Sequence, residues 1–173
     1  LDKNEERSLG TVLNGLDWSP DGQSLAITDR PNQERLSRIY LVAVTTGERR
    51  LVTSDSLPLN DASPAFSPDG KELAFCRVGA GQGDLYRVST TGGPVTRLTS
   101  SHWVIDSLDW SPDGRKILFT SNRSGVYGLW KINLAGGEPV AVPVEGPVHH
   151  LSVSRTGQLA YAQINSDSNI WKI

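Results

Sequence analysis

A short turn motif recurs four times along the chain, and this repeat limits the possible folds more than any other feature. Three copies read aromatic-Ser-Pro-Asp-Gly, and a less regular fourth copy has Arg and Thr in place of Pro and Asp. The closing glycines return every 43 to 48 residues, in the segments Trp18–Gly22, Phe66–Gly70, Trp110–Gly114 and Val153–Gly157. A period of about 40 to 45 residues with several short strands per unit is typical of β-propeller blades.

The motif predicts a tight turn rather than a catalytic site. Ser accepts a backbone hydrogen bond, Pro presets φ, Asp tolerates the third position, and Gly takes a positive φ at the fourth. We therefore interpret the three repeated carboxylates Asp21, Asp69 and Asp113 as structural. The fourth copy has Thr156 at this place, which indicates that the turn does not need a carboxylate.

Each unit predicts up to four strands around this turn. An apolar strand follows every turn, and an aliphatic-aromatic pair then begins a third strand with the period-2 pattern of a half-buried strand. A more polar strand ends three of the units, as suits an outer edge that must not recruit other strands. The sequence thus predicts an all-β fold, a β-propeller of four-stranded antiparallel blades, with about four blades in a single domain or fragment that covers residues 1–173. We place the blades at residues 12–54, 60–100, 104–143 and 147–173, with an N-terminal strand at residues 5–11.

The fourth unit lacks an outer strand, whereas residues 6–11 align with the outer strand at residues 48–53. Two explanations stay open: the chain closes on itself or on a second copy, or it is part of a longer propeller. A homodimer would form an eight-bladed ring, and symmetric association is common. We expect a fragment of a larger propeller that dimerises when produced alone, because bare apolar faces of end blades favour association.

Charge and composition exclude several classes of function. The formal net charge is −2 and the Lys and Arg residues are scattered, so we expect no nucleic-acid partner. No apolar run reaches the roughly 20 residues of a membrane span. The single cysteine, Cys76, lies in an apolar strand pattern, so we interpret it as a buried side chain rather than a reactive thiol.

These features together resemble the TolB-like, WD-repeat-like propeller family. The resemblance rests on the Ser-Pro-Asp-Gly turns, the aliphatic-aromatic pairs, the Gly-Gly turns and the segment Ser121–Gly125, and it covers residues 5 to 173. It implies a bacterial protein, periplasmic or cytoplasmic, whose propeller binds other proteins. Similar propellers also accompany a winged helix in regulators and the hydrolase domain of prolyl-oligopeptidase-type peptidases, and this sequence resembles neither appended domain.

The sequence contains no recognisable catalytic constellation, so we expect no enzymatic activity and no cofactor or metal. The candidate contacts lie in two loops that precede the third and fourth blades: His102 and Trp103, then His149 and His150. Adjacent residues of a strand point to opposite faces, which disfavours a metal ion shared by His149 and His150. We interpret these four residues as positions in partner-binding loops.

Three functions are compatible with the sequence. The first is a protein-interaction scaffold, because loops on a rigid frame are where binding residues concentrate. The second is a sensory or enzyme-associated propeller that binds a small ligand in the central channel, which Asp17, Asp109 and Ser152 would line if the first strand of each blade is innermost. The third is a structural lobe of a larger multidomain regulator or peptidase.

Overall fold

The computed structural model describes residues 15–30, 35–54, 58–100 and 103–163, and within these ranges all regular elements are antiparallel β-strands. Three sheets have four strands in chain order, and a fourth sheet has two described strands. The predicted strand at residues 5–11 and the third strand of the last unit lie outside the described residues. The strands are β1 (Leu16–Trp18), β2 (Ser24–Asp29), β3 (Arg38–Ala43), β4 (Arg49–Leu51), β5 (Asn60–Phe66), β6 (Glu72–Gly79), β7 (Gln82–Ser89), β8 (Thr96–Arg97), β9 (Ile105–Trp110), β10 (Lys116–Ser121), β11 (Gly128–Asn133), β12 (Val140–Val142), β13 (His149–Val153) and β14 (Leu159–Ala162).

The sheets form the blades of a partial propeller, which confirms the predicted fold class. Blade one contains β1 to β4, blade two β5 to β8, blade three β9 to β12, and blade four β13 and β14. The first strands of the blades lie beside one another in chain order: β1 contacts β5, β5 contacts β9, and β9 contacts β13. They are therefore the innermost strands. Within the described ranges the chain has no helix that is long and apolar enough to cross a lipid bilayer.

Each of the three Ser-Pro-Asp-Gly turns is held by the same set of hydrogen bonds, which explains the repeat. In the third copy Ser111 Oγ donates to Asp113 Oδ1 at 2.6 Å and accepts from the Lys116 N–H at 2.9 Å. The Arg115 N–H also donates to Asp113 Oδ1, at 3.0 Å. The hydrogen bond from serine is the main reason that the pKa of each turn aspartate is below its usual value, at Asp21, Asp69 and Asp113. The structural interpretation of these carboxylates is confirmed.

The turns of successive blades also pack against one another. A Cβ added to the turn glycine of blades two, three and four would lie 3.4 to 3.8 Å from the proline ring of the preceding turn, in the pairs Gly70 with Pro20, Gly114 with Pro68, and Gly157 with Pro112. Arg155 replaces the proline of the fourth turn, and its Nη2 donates to Pro20 O at 2.7 Å. The turns therefore form a continuous chain of contacts at one end of the propeller, which we name the turn end.

Apolar side chains fill the spaces between neighbouring blades. Phe66, Leu73 and Phe75 of blade two pack with Ala26 and Ile39 of blade one. The other face of blade two packs against Trp110, Ile117 and Phe119 of blade three. The indole N–H of Trp110 donates to Ala65 O at 3.0 Å. Trp110, the aromatic residue before the third turn, therefore links blade three to blade two by a hydrogen bond.

Blade two also contains a row of buried charges that the sequence pattern does not predict. Asp61, Arg77 and Asp84 stand opposite one another on β5, β6 and β7. Arg77 donates from Nε to Asp61 Oδ1 at 2.7 Å and from Nη2 to Oδ2 at 3.2 Å, and the two side chains are 1% and 0% exposed. Asp84 accepts from Arg97 Nη2 at 2.6 Å and from Thr99 Oγ1 at 2.7 Å. The two hydrogen bonds between Arg77 and Asp61 offset the free-energy cost of removing both charges from water.

Cys76 lies on β6 in the core between blades two and three. Its side chain is buried, and burial raises the pKa of the thiol, with a further contribution from the charges of Asp84 and Asp61. A thiol in this environment stays protonated and is a poor nucleophile. The interpretation of Cys76 as a buried structural residue is confirmed.

Candidate binding site at the axis and rim

The inner strands border a cavity of about 600 Å³ along the propeller axis. Asp17, Asp109 and Ser152 line it, which confirms their predicted position, and Asp106 and His150 line it as well. A second cavity of about 410 Å³ lies at the turn end and shares the first three residues, so the two cavities meet there. None of the described residues that line the larger cavity is Lys or Arg. The larger cavity therefore has three aspartates and no Lys or Arg side chain among described lining residues that are mostly apolar, whereas Arg155 lines the cavity at the turn end.

The two axial carboxylates also join neighbouring blades. Asp17 Oδ2 on β1 accepts from the Phe66 N–H on β5 at 2.7 Å, and Asp109 Oδ2 on β9 accepts from the Val153 N–H on β13 at 2.7 Å. Burial raises the pKa of both aspartates, and the charge of Asp109 raises the pKa of Asp17 further. The repeated Asp before an aromatic residue is visible in the sequence, but the hydrogen bond to the next blade is not.

The inner strands have irregular backbone at the end opposite the turns, which we name the loop end. The register of β5, β9 and β13 shifts there, and Ser63 and His150 have φ of 52° and 40°. Gly15 has the corresponding position in blade one with φ of 108°, and a Cβ on it would lie 3.1 Å from Ser63 Cα. Bulges of this kind turn side chains towards new directions and often border binding sites. They place Ser63 and His150 at the cavity wall.

This irregularity overturns one expectation about His149 and His150. A regular strand would send the two imidazoles to opposite faces, whereas the bulge brings both towards Asp106. Asp106 Oδ2 lies 3.4 Å from His149 Nδ1 and 3.8 Å from His150 Nδ1, and it accepts from the His150 N–H at 3.2 Å. The positive φ of His150 is the physical reason. No group of three or more His, Cys, Asp or Glu residues in the described ranges could hold a metal ion.

Trp103 lies on the same end of the propeller and is 42% exposed. Its carbonyl accepts from the Gly83 N–H at 3.0 Å, and the next residue, Val104, donates its N–H to Asn122 Oδ1 at 3.1 Å. The loop at residues 122–127 therefore begins beside Val104 and ends at Tyr127. The centres of the Tyr127 and His149 rings are 4.4 Å apart. His102 lies outside the described residues.

Three of the four predicted loop residues therefore lie at the loop end, and we name them, with two residues of the 122–127 loop, the rim surface. It consists of Trp103, Val126, Tyr127, His149 and His150, and the last of these also lines the axial cavity. Sequence reasoning did not identify Val126, which is exposed, or Tyr127. The aromatic residue within the hairpin loop was the signal that could have identified Tyr127.

Blades joined through their inner strands, with an axial cavity between them and Ser-Pro-Asp-Gly turns at one end, define the chain as a β-propeller domain. The chain belongs to the TolB beta propeller domain family, whose pattern matches residues 10–172.

Two solved structures agree with this assignment, and a curated sequence of unassigned family is also similar. A protein of Agrobacterium tumefaciens assigned as TolB is 31% identical with a TM-score of 0.78, over 90% of this chain and 56% of that chain. TolB of Acinetobacter baumannii is 28% identical with a TM-score of 0.77, over 92% of this chain and 39% of that chain. An uncharacterized protein of Agrobacterium fabrum is 37% identical over 93 residues, which are 54% of this chain and 30% of that protein. The chain thus spans between 30% and 56% of the length of these relatives.

Proposed function

We propose that the domain is a non-catalytic interaction module that binds a protein partner through the rim surface and the adjoining mouth of the axial cavity. The observation that carries this proposal is a series of contacts at the loop end: Val104, next to the exposed Trp103, donates to Asn122, and Tyr127 of the same loop lies beside His149. His150, the next residue, borders the cavity. Aromatic side chains on loops of a rigid scaffold are typical of partner recognition. The similarity to TolB structures is consistent with this role.

The charge of the cavity favours a basic segment of the partner. Asp17, Asp106 and Asp109 line the wall, and none of the described lining residues carries a Lys or Arg side chain. Carboxylates in a partly enclosed, low-dielectric space attract cationic groups more strongly than carboxylates on an open surface. A Lys or Arg side chain entering the loop end would therefore complement the cavity.

Site-specific photocrosslinking tests this proposal. A photoreactive phenylalanine replaces Trp103 in one variant and Lys71 in a control variant, because the Lys71 side chain is 81% exposed at the turn end. After irradiation in an extract of the source organism, we expect a protein crosslinked from position 103 and absent from position 71. The captured partner, once purified, should bind Asp106→Asn at least tenfold more weakly than wild type, because the variant removes a cavity charge. Equal crosslinking from both positions, or unchanged affinity of the Asp106 variant, would contradict the proposal.

The size of the cavity favours a second candidate, a small cationic ligand on the axis. Its volume of about 600 Å³ is within the range of roughly 300–1,000 Å³ typical of small-molecule sites. Calorimetric titration with a polyamine distinguishes the candidates: the ligand hypothesis expects saturable binding that Asp17→Asn with Asp109→Asn removes. The interaction-module proposal expects no saturable polyamine binding.

Self-association is a further proposal, carried by exposed apolar side chains of blade one. Trp18 is 53% exposed, whereas Trp110, its counterpart in blade three, is 3% exposed because blade two covers it. A second copy that covers Trp18 would form a dimeric ring. Light scattering behind a sizing column should then give twice the chain mass of 18.8 kDa. A mass of one chain at all concentrations would rule this association out.

A further inference from the structure

Two kinds of hydrogen bond join the inner part of one blade to the next, and they alternate along the described chain. The carboxylate kind uses Asp17 between blades one and two, and Asp109 between blades three and four. The indole kind joins blades two and three, where Trp110 Nε1 donates to Ala65 O at 3.0 Å. If the alternation continues, the joint that follows blade four is of the indole kind.

Blade four has the acceptor for an indole joint in the same orientation as blade two. The N–H groups of Phe66 and Val153 each donate to the aspartate of the preceding blade at 2.7 Å. The peptide bonds that contain these N–H groups are trans, so the C=O of each bond points the opposite way. The carbonyl oxygens of Ala65 and Ser152 therefore both point away from the preceding blade.

The sheet face beside this carbonyl also matches that of blade two. Ala65 stands opposite Ala74 in the β5–β6 register, and both small side chains belong to the core that contains Trp110. Ser152 stands opposite Ala160 in the β13–β14 register in the same way. Ala65 and Ala74 are 4% and 0% exposed because blade three covers them, whereas Ser152 and Ala160 are exposed. We name Ser152 and Ala160 the open face of blade four.

Blade one carries the matching donor. Trp18 has the position in β1 that Trp110 has in β9, directly before the Ser-Pro-Asp-Gly turn. Trp110 is 3% exposed on blade two, whereas Trp18 is 53% exposed. Leu16, two positions earlier on the same face of β1, is 51% exposed. The described row of inner strands therefore has an unused indole donor on blade one and an uncovered seat for one on blade four.

We propose that the open face of blade four binds blade one of a second copy of the chain, with the Trp18 indole N–H donating to Ser152 O. The contact continues the series of blade interfaces from β1 to β13 and repeats the joint between blades two and three. It rests on the self-association proposed above and names the second surface of that association. Because the two surfaces differ, the contact is head-to-tail, and two copies that close on each other contain it twice.

Mixing two variants tests the head-to-tail contact. Trp18→Arg removes the donor, and Ala160→Arg places a large charged side chain on the open face of blade four. Each variant alone should raise the dimer dissociation constant at least tenfold in light scattering, because both contacts of the dimer lose one side. An equimolar mixture should dimerise more tightly than either variant alone, because one chain supplies Trp18 and the other an intact open face. The control Val140→Arg, at a 55% exposed position of β12, should dimerise as wild type does.

A smaller change tests the hydrogen bond itself. Trp18→Phe keeps an aromatic ring but lacks the indole N–H, so we expect several-fold weaker dimerisation. Trp103→Phe makes the same change at a 42% exposed position of the rim surface and should leave the dissociation constant unchanged. In nitrogen-15 correlation spectra, the indole signal of Trp18 should shift as the protein concentration rises, while that of Trp110 stays in place.

The outcomes separate this contact from self-association in general. If Ala160→Arg alone dimerised as tightly as wild type, blade one would face something other than the open face, and the proposed contact would be wrong although the chain self-associates. A mixture that dimerises no more tightly than its components would also overturn the contact. A single-chain mass of the wild type at all concentrations would reject self-association and this contact together. The rim-surface proposal has its own test in the photocrosslinking experiment.

Discussion

Replacing Asp61 by Asn tests whether the buried row of charges in blade two is a major source of stability. The change keeps the shape of the side chain but leaves the Arg77 guanidinium, 1% exposed, without its bidentate carboxylate. The free-energy cost of the buried, unpaired guanidinium cannot be relieved by deprotonation, because arginine stays charged at any accessible pH. Breaking a buried ion pair by removing one partner costs about 3–5 kcal/mol.

For Asp61→Asn we expect a loss of unfolding free energy at the lower end of this range, because Arg77 has other favourable neighbours. Arg77 keeps Asp84 on the opposite strand, and its Cζ lies 5.4 Å and 5.0 Å from the ring centres of Phe75 and Tyr86. These neighbours still stabilise part of the charge, so we expect a loss of about 3 kcal/mol in the free energy of unfolding. With a urea m-value of about 2 kcal/mol/M, the unfolding midpoint should fall by about 1.5 M.

Two comparisons isolate the effect of burial. Glu72→Gln breaks the ion pair with Arg87, whose Nη1–Oε1 distance is 3.2 Å and whose side chains are about one third exposed, and it should cost only about 0–1 kcal/mol. The double change Asp61→Leu with Arg77→Met removes both charges of the buried pair, leaves Asp84 with Arg97 and Thr99, and should be within about 1 kcal/mol of wild type. If Asp61→Asn cost no more than Glu72→Gln in urea titrations, the reasoning from uncompensated buried charge would be wrong.

Three further perturbations have defined outcomes. Burial raises the pKa of Asp109, so the folded chain binds a proton more readily than the unfolded chain, and the wild type should gain stability from this group as the pH falls from neutral through the raised pKa. The Asp109→Asn variant should lack this gain in stability, and urea unfolding midpoints at pH 7 and at about pH 4.5 would show the difference. An equal pH dependence of the midpoint in both proteins would refute the raised pKa of Asp109. The Cys76 thiol should react with Ellman's reagent only after denaturation, and rapid reaction in native buffer would contradict its burial. Ser111→Ala removes hydrogen bonds to Asp113 and the Lys116 N–H and should cost about 1 kcal/mol by urea titration, whereas an unchanged midpoint would show that the turn does not need the hydroxyl.

The turns and blades were predictable because their causes are local. Ser111, Asp113 and Gly114 form one hydrogen-bonded unit within a few residues, and the same unit recurs at the other two Ser-Pro-Asp-Gly copies. A repeated local unit gives the blade period, and the period gives the fold class. The apolar strand predicted after each turn supplies residues to the core, as the buried Ile117 and Phe119 show in the third unit.

The parts that escaped prediction depend on neighbours far apart in the sequence. The pairing of Asp61 with Arg77 depends on which strands adjoin and in what register, and neither residue differs from an exposed charge in a strand pattern. The convergence of His149 and His150 on Asp106 depends on a bulge in β13, which the residue types of this segment do not indicate. The rim surface likewise forms because Asn122 and Tyr127 of one loop contact segments on either side of it.

The packing of each turn proline on the next turn glycine has a consequence for how such chains change during evolution. Every regular blade carries both halves of this joint, a glycine for the blade before it and a proline for the blade after it, as Pro68 and Gly70 show in blade two. A tandem duplication of the gene segment for one blade would therefore create a new blade that already fits both of its neighbours. Because contacts run mainly between adjacent blades, the number of blades can grow or shrink without redesign of the rest. The fourth turn has Arg155 at the proline position, so this blade lacks the proline half of the joint.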